Sequence, residues 1–595
     1  MFFGILVSAW ASGTAEAAVW HWAFALALLA GALFPARAVD RTWVGAVVAC
    51  LVSWTIFHTL FIGESYSPAG LFQPLFLAIG FALGRRTLDA GGGSLGLNVA
   101  LLAISGIVCY ALLTSFYKGF PAIAPFETPA VLAALTNLAL VPVLVHVLWG
   151  PLPTPGRFAV LTLLFAGLIG ASSRGGWIGL FIGVAFAVIF FRSRLSGMRG
   201  ALMAGVSVCL ASGLIMLIRA AGPWLRNYMP SGDGRSWAGL AALFLAPSAA
   251  VESSVSRLEL YSVALDAAVR HMPLGAGYLS FAQVLEAGRE RVPSYGTENV
   301  TFFVHNDYLQ ILLELGLPGL CALLAVVLVS FVLLLRHRAR LRPEDSLFCG
   351  ACAGGLATMA FQAGVDFPFY IPICLAAFGF LLGAVDVRCA AAGIGLVDFA
   401  PRPGQVWRAL ASARRIVLAT GLALLLVPLA AERSFAYGNA RWRDGLGEEA
   451  AYGFELARRL QPSDWRYAWY AGQFWAAQAA ATRNPKAAEL ADASFAGGFA
   501  SNRLEVRNLL GRIELRLSVP QLLAQAGAPG ELNAWSVEAQ TLAPRNPRAR
   551  MDRVFVLERT GRLDEARREA ARFAFDEPAN RAARTLADRL AQRAR

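Results

Sequence analysis

Hydrophobic and polar positions divide the chain into two regimes. From Ala17 to about Ala430 long apolar stretches recur between short polar links, whereas from about 431 to 595 apolar residues return at helical spacing among Ala, Arg, Leu and Glu. An apolar stretch of about 20 residues crosses roughly 30 Å of hydrocarbon as a helix, and no other open chain structure satisfies its backbone there. The pattern predicts spans near 17–34, 44–62, 69–84, 95–114, 129–148, 157–172, 175–191, 200–219, 308–335, 347–365, 370–387 and 413–430. Ahead of them, Met1–Ala18 is apolar but broken by Gly13, Thr14 and Glu16. Lacking a basic leading region, it reads as a short first helix rather than a cleaved signal peptide. The expected fold is all-α: a transmembrane domain over 1–430 with about twelve spans, a large extracytoplasmic loop at 220–307, and a helical-repeat domain over 431–595.

Composition agrees with the bilayer as solvent: 57% of the 595 residues are hydrophobic and 15% charged. The formal charge of +13 does not point to nucleic acid, because the basic residues fall in short clusters beside spans and not on one aromatic-laced face. Those clusters are Arg37 and Arg41; Arg85 and Arg86; Arg192, Arg194 and Arg199; Arg336, Arg338, Arg340 and Arg342; and Arg402, Arg408, Arg414 and Arg415. All land on one side of the predicted spans, and that side is cytoplasmic by the positive-inside rule. The loop 115–128, the Ser172–Arg174 corner, the loop 220–307, the link at Asp366 and the C-terminal tail then face outward.

All eight cysteines lie in or beside apolar spans, so no disulfide framework is implied. Cys349 and Cys352 form a CxxC that, within an apolar helix, reads as two small packing residues. The six histidines form no ligand pair at helical spacing, and neither metal nor cofactor is expected. In the tail, Leu542–Pro578 shows paired amphipathic helices with Gly561 at the turn, similar to a tetratricopeptide repeat, and Ala450–Ala480 is a weaker unit of the same kind.

Three outward-facing segments carry candidate chemistry. In Ser172-Ser173-Arg174-Gly175-Gly176-Trp177, Arg174 either serves a site or snorkels to the interface beside Trp177. Arg257 lies in a helix ending at Pro273-Leu274-Gly275-Ala276-Gly277, where Leu258, Tyr261, Leu265 and Ala268 share a face. It is either presented to a ligand or solvated, and Gly275 and Gly277 form either a tight turn or an anion-binding nest. Third, His305, Asn306, Asp307, Gln310 and Glu314 bring polar groups into the start of a span, a costly placement that calls for a purpose.

Taken together, His305-Asn306, nine residues, and Gly316-Leu317-Pro318-Gly319 resemble the signature of the O-antigen ligase and polymerase superfamily. SSRGGW is similar to the family's Ser-Arg-Gly segment, and Arg257 with PLGAG to its outer-loop element. Val365-Asp366-Phe367 before Ile371-Pro372 is similar to an element of tailed members, although Gln362 stands where some relatives have histidine. The resemblance covers roughly 10 to 390.

It implies an inner-membrane glycosyltransferase of bacteria using an undecaprenyl-diphosphate-linked glycan as donor and a glycan, lipid or protein hydroxyl as acceptor, without a metal. Arg174 and Arg257 would hold the diphosphate. His305 would be the base, with Asn306, Asp307, Glu314, Tyr261 or Asp366 orienting it or the acceptor. A polymerase is the expected activity, with the tail docking export or assembly proteins. A ligase or protein O-oligosaccharyltransferase is the alternative within the superfamily, and a polysaccharide transporter or flippase the alternative outside it.

Overall fold

The computed structural model describes residues 42–63, 69–89, 93–118, 128–150, 154–191, 198–226, 247–292, 301–397, 430–519, 527–578, 580–593 and a few single positions. The expected spans 17–34 and 413–430, the segment Met1–Ala18, and the basic residues Arg37, Arg41, Arg192, Arg194 and Arg402 to Arg415 lie outside them.

Each remaining predicted span coincides with a helix: α1 (Trp43–Phe61), α2 (Ala69–Asp89), α3 (Gly93–Lys118), α4 (Pro129–Trp149), α5 (Pro155–Ala171), α6 (Arg174–Phe190) and α7 (Met198–Arg226). The outer-loop segment contributes α8 (Pro247–Arg270) and the short α9 (Phe281–Ala287), after which α10 (Asp307–His337), α11 (Pro343–Gln362) and α12 (Pro372–Ala391) complete the bundle. Among the described residues, α1, α4, α7, α10 and α12 are long and apolar enough to cross a membrane by length and composition. The chain is a multi-pass membrane protein.

Helix α4 is buried on all sides from Val131 to Val145, so its apolar character runs all round instead of along a stripe. Helices α2 and α12 approach closely through glycine: a Cβ on Gly80 or Gly84 would collide with the carbonyls of Ala376 and Phe380, the small-residue packing that lets backbones meet inside a membrane.

Three contacts mark one end of the bundle. Arg85 at the end of α2 pairs with Asp386 at the end of α12. Arg388 pairs with Asp345 at the start of α11, 3.0 Å away. Arg338 donates to the Ile189 and Phe190 carbonyls at the end of α6. The basic residues Arg85 and Arg338, from two of the expected clusters, therefore gather at one end with Arg388, which was in none of them. Arg85 is nonetheless buried at 6% exposure, with Thr42 Oγ1 bridging its Nη1 and Asp386 at 3.0 and 2.9 Å. It is a packed ion pair and not a loose orienting charge, because a buried cation persists only with partners.

The predicted span 308–335 is one element with a break. Gly316 has φ 69 and ψ −168 inside α10. The broken turn frees carbonyls, which donors from elsewhere satisfy: Ala276 N bonds Leu313 O at 2.8 Å, Gly277 N bonds Glu314 O at 3.0 Å, and Trp54 Nε1 bonds Leu315 O at 3.0 Å. Leu317 N in turn bonds Pro273 O at 2.9 Å. Gly275 and Gly277 thus dock backbone to backbone on the kink. Of the two readings offered for them the tight turn holds, with Gly275 N on His271 O at 2.8 Å, and their amides serve helix carbonyls.

A correction concerns α8. Its buried face is Leu260, Val263, Ala264, Ala267 and Ala268, whereas Leu258 and Leu265 are 65% and 52% exposed. Both sides of the helix are apolar, and periodicity alone does not say which packs.

Beyond α13, at 430–443, the tail is α14 (Gly447–Leu460), α15 (Trp465–Thr482), α16 (Pro485–Ser501), α17 (Val506–Ser518), α18 (Ala528–Leu542), α19 (Pro547–Arg559), α20 (Leu563–Asp576) and α21 (Arg581–Gln592). Gly561, at φ 78, turns α19 into α20. The tail meets the outer-loop unit: Leu504 packs on the cluster of Leu260 and Phe281, α18 contacts α9, and Arg545 lies 3.8 Å from Glu290.

Candidate functional site

Opposite the basic end, four chain segments meet at Val365-Asp366. Ser172, in the left-handed region at φ 53, reverses the chain after α5. Ser173 Oγ then accepts from Gly176 N at 3.1 Å, capping α6 so that Arg174 is its first residue. Asn137 Nδ2 braces the same turn by donating to Gly176 O at 2.7 Å. The Arg174 side chain is exposed. Its neighbour Gly175 abuts the link after α11, where an added Cβ would stand 3.4 Å from the Val365 side chain.

Arg257, from α8, reaches the same residue, its Nη1 donating to Val365 O at 3.0 Å. Arg257 thus meets the link directly, and the turn that carries Arg174 packs beside it through Gly175.

His305 precedes α10. Its Nδ1 lies 3.2 Å from Asp366 Oδ1, and its ring stands edge-on to Phe367 at 5.1 Å between centroids, while Phe367 stacks on Phe303 at 4.1 Å. The His305 backbone is left-handed at φ 61, a conformation that costs a non-glycine residue about 1–3 kcal/mol unless its surroundings hold it. Tyr261 contributes to holding it, its hydroxyl donating to His305 O at 2.8 Å. Burial pushes the Tyr261 phenol above its ordinary value, with Arg257 opposing and Asp366 adding to the rise, so it remains a protonated donor. Asp366, 5% exposed, also accepts from Phe367 N at 3.2 Å, which fixes the carboxylate against the ring.

The remaining candidates separate from this group. Asn306 caps α10, its Oδ1 accepting from Leu309 N at 3.0 Å. Buried Asp307 takes Phe369 N at 2.8 Å on Oδ2 and gives its own N–H to Ala363 O at 2.7 Å, tying α10 to the Asp366 link. Glu314 accepts from Leu279 N at 2.9 Å, Tyr370 Oη at 2.7 Å and Gln310 Nε2 at 2.9 Å. It staples the segment after PLGAG to α10, one layer beneath the histidine. Val365 and Phe367 were named from sequence only as flanks of Asp366, and Tyr370, His58 and Trp54 were given no role. Val365 acts through its carbonyl, which no side-chain pattern reveals, and His58 Nε2, 2.8 Å from Leu274 O, looked like a lone histidine in a span.

With Nδ1–H directed at Asp366, Nε2 carries the lone pair; the tautomer follows from the hydrogen bond. The arrangement is a carboxylate-oriented imidazole with the Arg257 guanidinium on the adjoining link and the exposed Arg174 at the start of the neighbouring helix, a set of groups able to accept a proton and to hold an anion. These features define a multi-pass helical membrane protein with a polar site at one end. Residues 159–324 match the family described as O-Antigen ligase, a stretch that includes Arg174, Arg257 and His305. No curated protein matches the chain.

Proposed function

We propose that the protein transfers an undecaprenyl-diphosphate-linked oligosaccharide to an acceptor hydroxyl at the extracytoplasmic face of the bacterial inner membrane. The observation that carries this reading is the meeting of Gly175, next to Arg174, and of Arg257 at Val365, one residue from the carboxylate that orients His305.

In the proposed reaction the acceptor oxygen attacks the anomeric carbon as the bond from that carbon to the diphosphate oxygen breaks. The acceptor proton passes to His305 Nε2, and the negative charge developing on the departing diphosphate is held by Arg174 and Arg257, whose forked donors match phosphate oxygens. Direct displacement inverts the anomeric carbon. Asp366 and Tyr261 fix the imidazole, and Asn306, Asp307 and Glu314 build the frame that carries it.

Polymerisation is the favoured form of the reaction, in which the acceptor is a second lipid-linked repeat unit. The C-terminal helices, taken as a tetratricopeptide-like solenoid, stand on the outer-loop unit where they would guide a long chain or dock export proteins. Ligation to a lipid or protein acceptor is the second reading, favoured by the description of the family that residues 159–324 match. Purified protein in proteoliposomes, given one lipid-linked repeat unit, separates the two. A ladder of lengthening products supports polymerisation; no ladder until a second acceptor is added supports ligation; no transfer with any acceptor removes both.

A further inference from the structure

Helix α8 carries an apolar stripe that nothing among the described residues covers. Leu258, Leu265 and Val269 of α8 and Met272 in the turn just after it are 65%, 52%, 59% and 47% exposed and follow one another at helical spacing, with Ser262 among them. Leu274, 43% exposed, continues the stripe. The opposite side, from Leu260 to Ala268, packs on α9 and α10. Soluble loop helices rarely leave such a run open to water.

The level of this stripe can be read from the bundle. From Gly316 to Leu335, twenty residues of α10 span about 30 Å, the thickness of the hydrocarbon core. Exposed Leu317, Leu324, Leu328, Val332 and Leu335 begin directly after the kink, while Asp307, Gln310, Ile311, Leu313 and Glu314 before it are buried in protein. Gly316 therefore marks the boundary between lipid and headgroups at the site end. The end of α8 docks there, through Pro273 O to Leu317 N and Leu274 O to His58 at the last turn of α1. Phe57, Leu60 and Phe61 of α1, 50%, 48% and 72% exposed, carry the apolar surface onward into the membrane face.

A second point of α8, near its middle, is tied at a similar height. Arg257 bonds Val365, beside the start of α6, whose 17 residues from Arg174 rise about 25 Å from the end held by Arg338. From Arg257 to its C-terminal end, α8 is fixed at two points near the level of the membrane surface, and that stretch lies along the surface.

We propose that α8 is an in-plane interfacial helix whose Leu258, Leu265, Val269 stripe, continued by Met272 in the turn after it, rests on the acyl-chain boundary of the outer leaflet. Its apolar stripe enters lipid, and Glu259, Asp266 and Arg270 on one flank stay at headgroup level, the arrangement typical of monotopic amphipathic helices. The contact would hold Arg257 at a fixed height. Only that last consequence rests on the transferase reading; the lipid contact does not.

The test places a photoactivatable diazirine analogue of leucine at 258, 265 or 269, one position at a time, in the full-length protein reconstituted in phospholipid vesicles. Position 181, where Phe181 is 67% exposed on α6, is the lipid-facing control, and position 262 reports the polar gap in the stripe. The expected result is phospholipid adducts at 258, 265 and 269 in yields within about threefold of position 181. Water addition alone at these positions, or chain-to-chain cross-links in place of lipid adducts, would overturn the proposal, the second outcome assigning the stripe to a dimer contact.

Discussion

At His305 three restraints coincide: a carboxylate on Nδ1, an aromatic edge on the ring, and a phenol on its own carbonyl. Such a residue gains from geometry as much as from identity, since a base contributes about 10²–10⁴-fold only when it is held at the proton it abstracts. His305→Ala is expected to lower transfer by at least that factor with expression unchanged, measured as product formed per protein. Asp366→Asn keeps the shape but can favour the other tautomer, so it should lower kcat by about 10- to 10³-fold with KM for the donor little changed. An Asp366→Asn enzyme with an intact kcat would show that the carboxylate is only a cap. For the arginines the fork matters beyond the charge. Arg257→Lys should recover only part of the activity lost in Arg257→Ala, because a point ammonium cannot reproduce two parallel bonds to phosphate.

At the scale of elements, the PLGAG segment and the α10 kink form one unit. A Cβ on Gly316 would collide with the carbonyl oxygen of Pro273, and a Cβ on Gly275 with the backbone at Glu314 and Gly316. Both residues also have positive φ, at 69 and 94. Gly316→Ala should therefore destabilise by about 1–3 kcal/mol as overpacking against backbone. In detergent this would appear as a lower melting temperature and faster proteolysis of the 273–281 segment, and unchanged values would show that the kink is not a docking site. These long-range contacts explain what the sequence could and could not tell. Hydrophobic runs located helices α1 to α7 and α10 to α12 within a few residues, because apolar character is a local property of a stretch, and five of these helices are long and apolar enough to cross a membrane. The break at Gly316 stayed hidden, since a Gly-Leu-Pro-Gly run inside an apolar helix is compatible with a continuous one, and the donors that make the break tolerable come from residues 54, 276 and 277. At the candidate site, Arg174 and His305 could be picked out as polar groups at span ends and Arg257 on a loop helix, but the carbonyl of Val365 that Arg257 meets and the role of Glu314 as a staple exist only in the folded chain.

Across the whole molecule, the tail and the outer-loop unit share the end that carries the site, through Leu504 and the Arg545–Glu290 contact. If the site is extracytoplasmic the tail is too. A phosphatase reporter fused after Arg595 should be active without lysing the cells, and activity confined to a cytoplasmic reporter would contradict the orientation. The tail also carries a pH-dependent weakness. Burial, reinforced by Glu514 and opposed by Arg548, raises the Asp552 carboxyl from 3.8 to about 8. An acid raised in the folded state binds its proton more tightly there than when unfolded, so stability from this group is greatest at low pH and falls as pH rises from about 4 to about 8. Asp552→Asn should remove that fall, giving a melting temperature for the tail above wild type at pH 8 and nearer to it at pH 5; equal melting temperatures at both values would contradict the assignment.

The central claim is that two guanidinium groups and one imidazole act on a single lipid-linked donor. It is tested most directly by giving a defined undecaprenyl-diphosphate oligosaccharide and its acceptor to proteoliposomes of wild type and of the Arg174→Ala, Arg257→Ala and His305→Ala variants, and by measuring the rate at which glycan is transferred. Transfer by wild type, with loss of about 100-fold or more in each variant at equal reconstitution, is the predicted result. Wild-type rates in any one of the three would contradict the account.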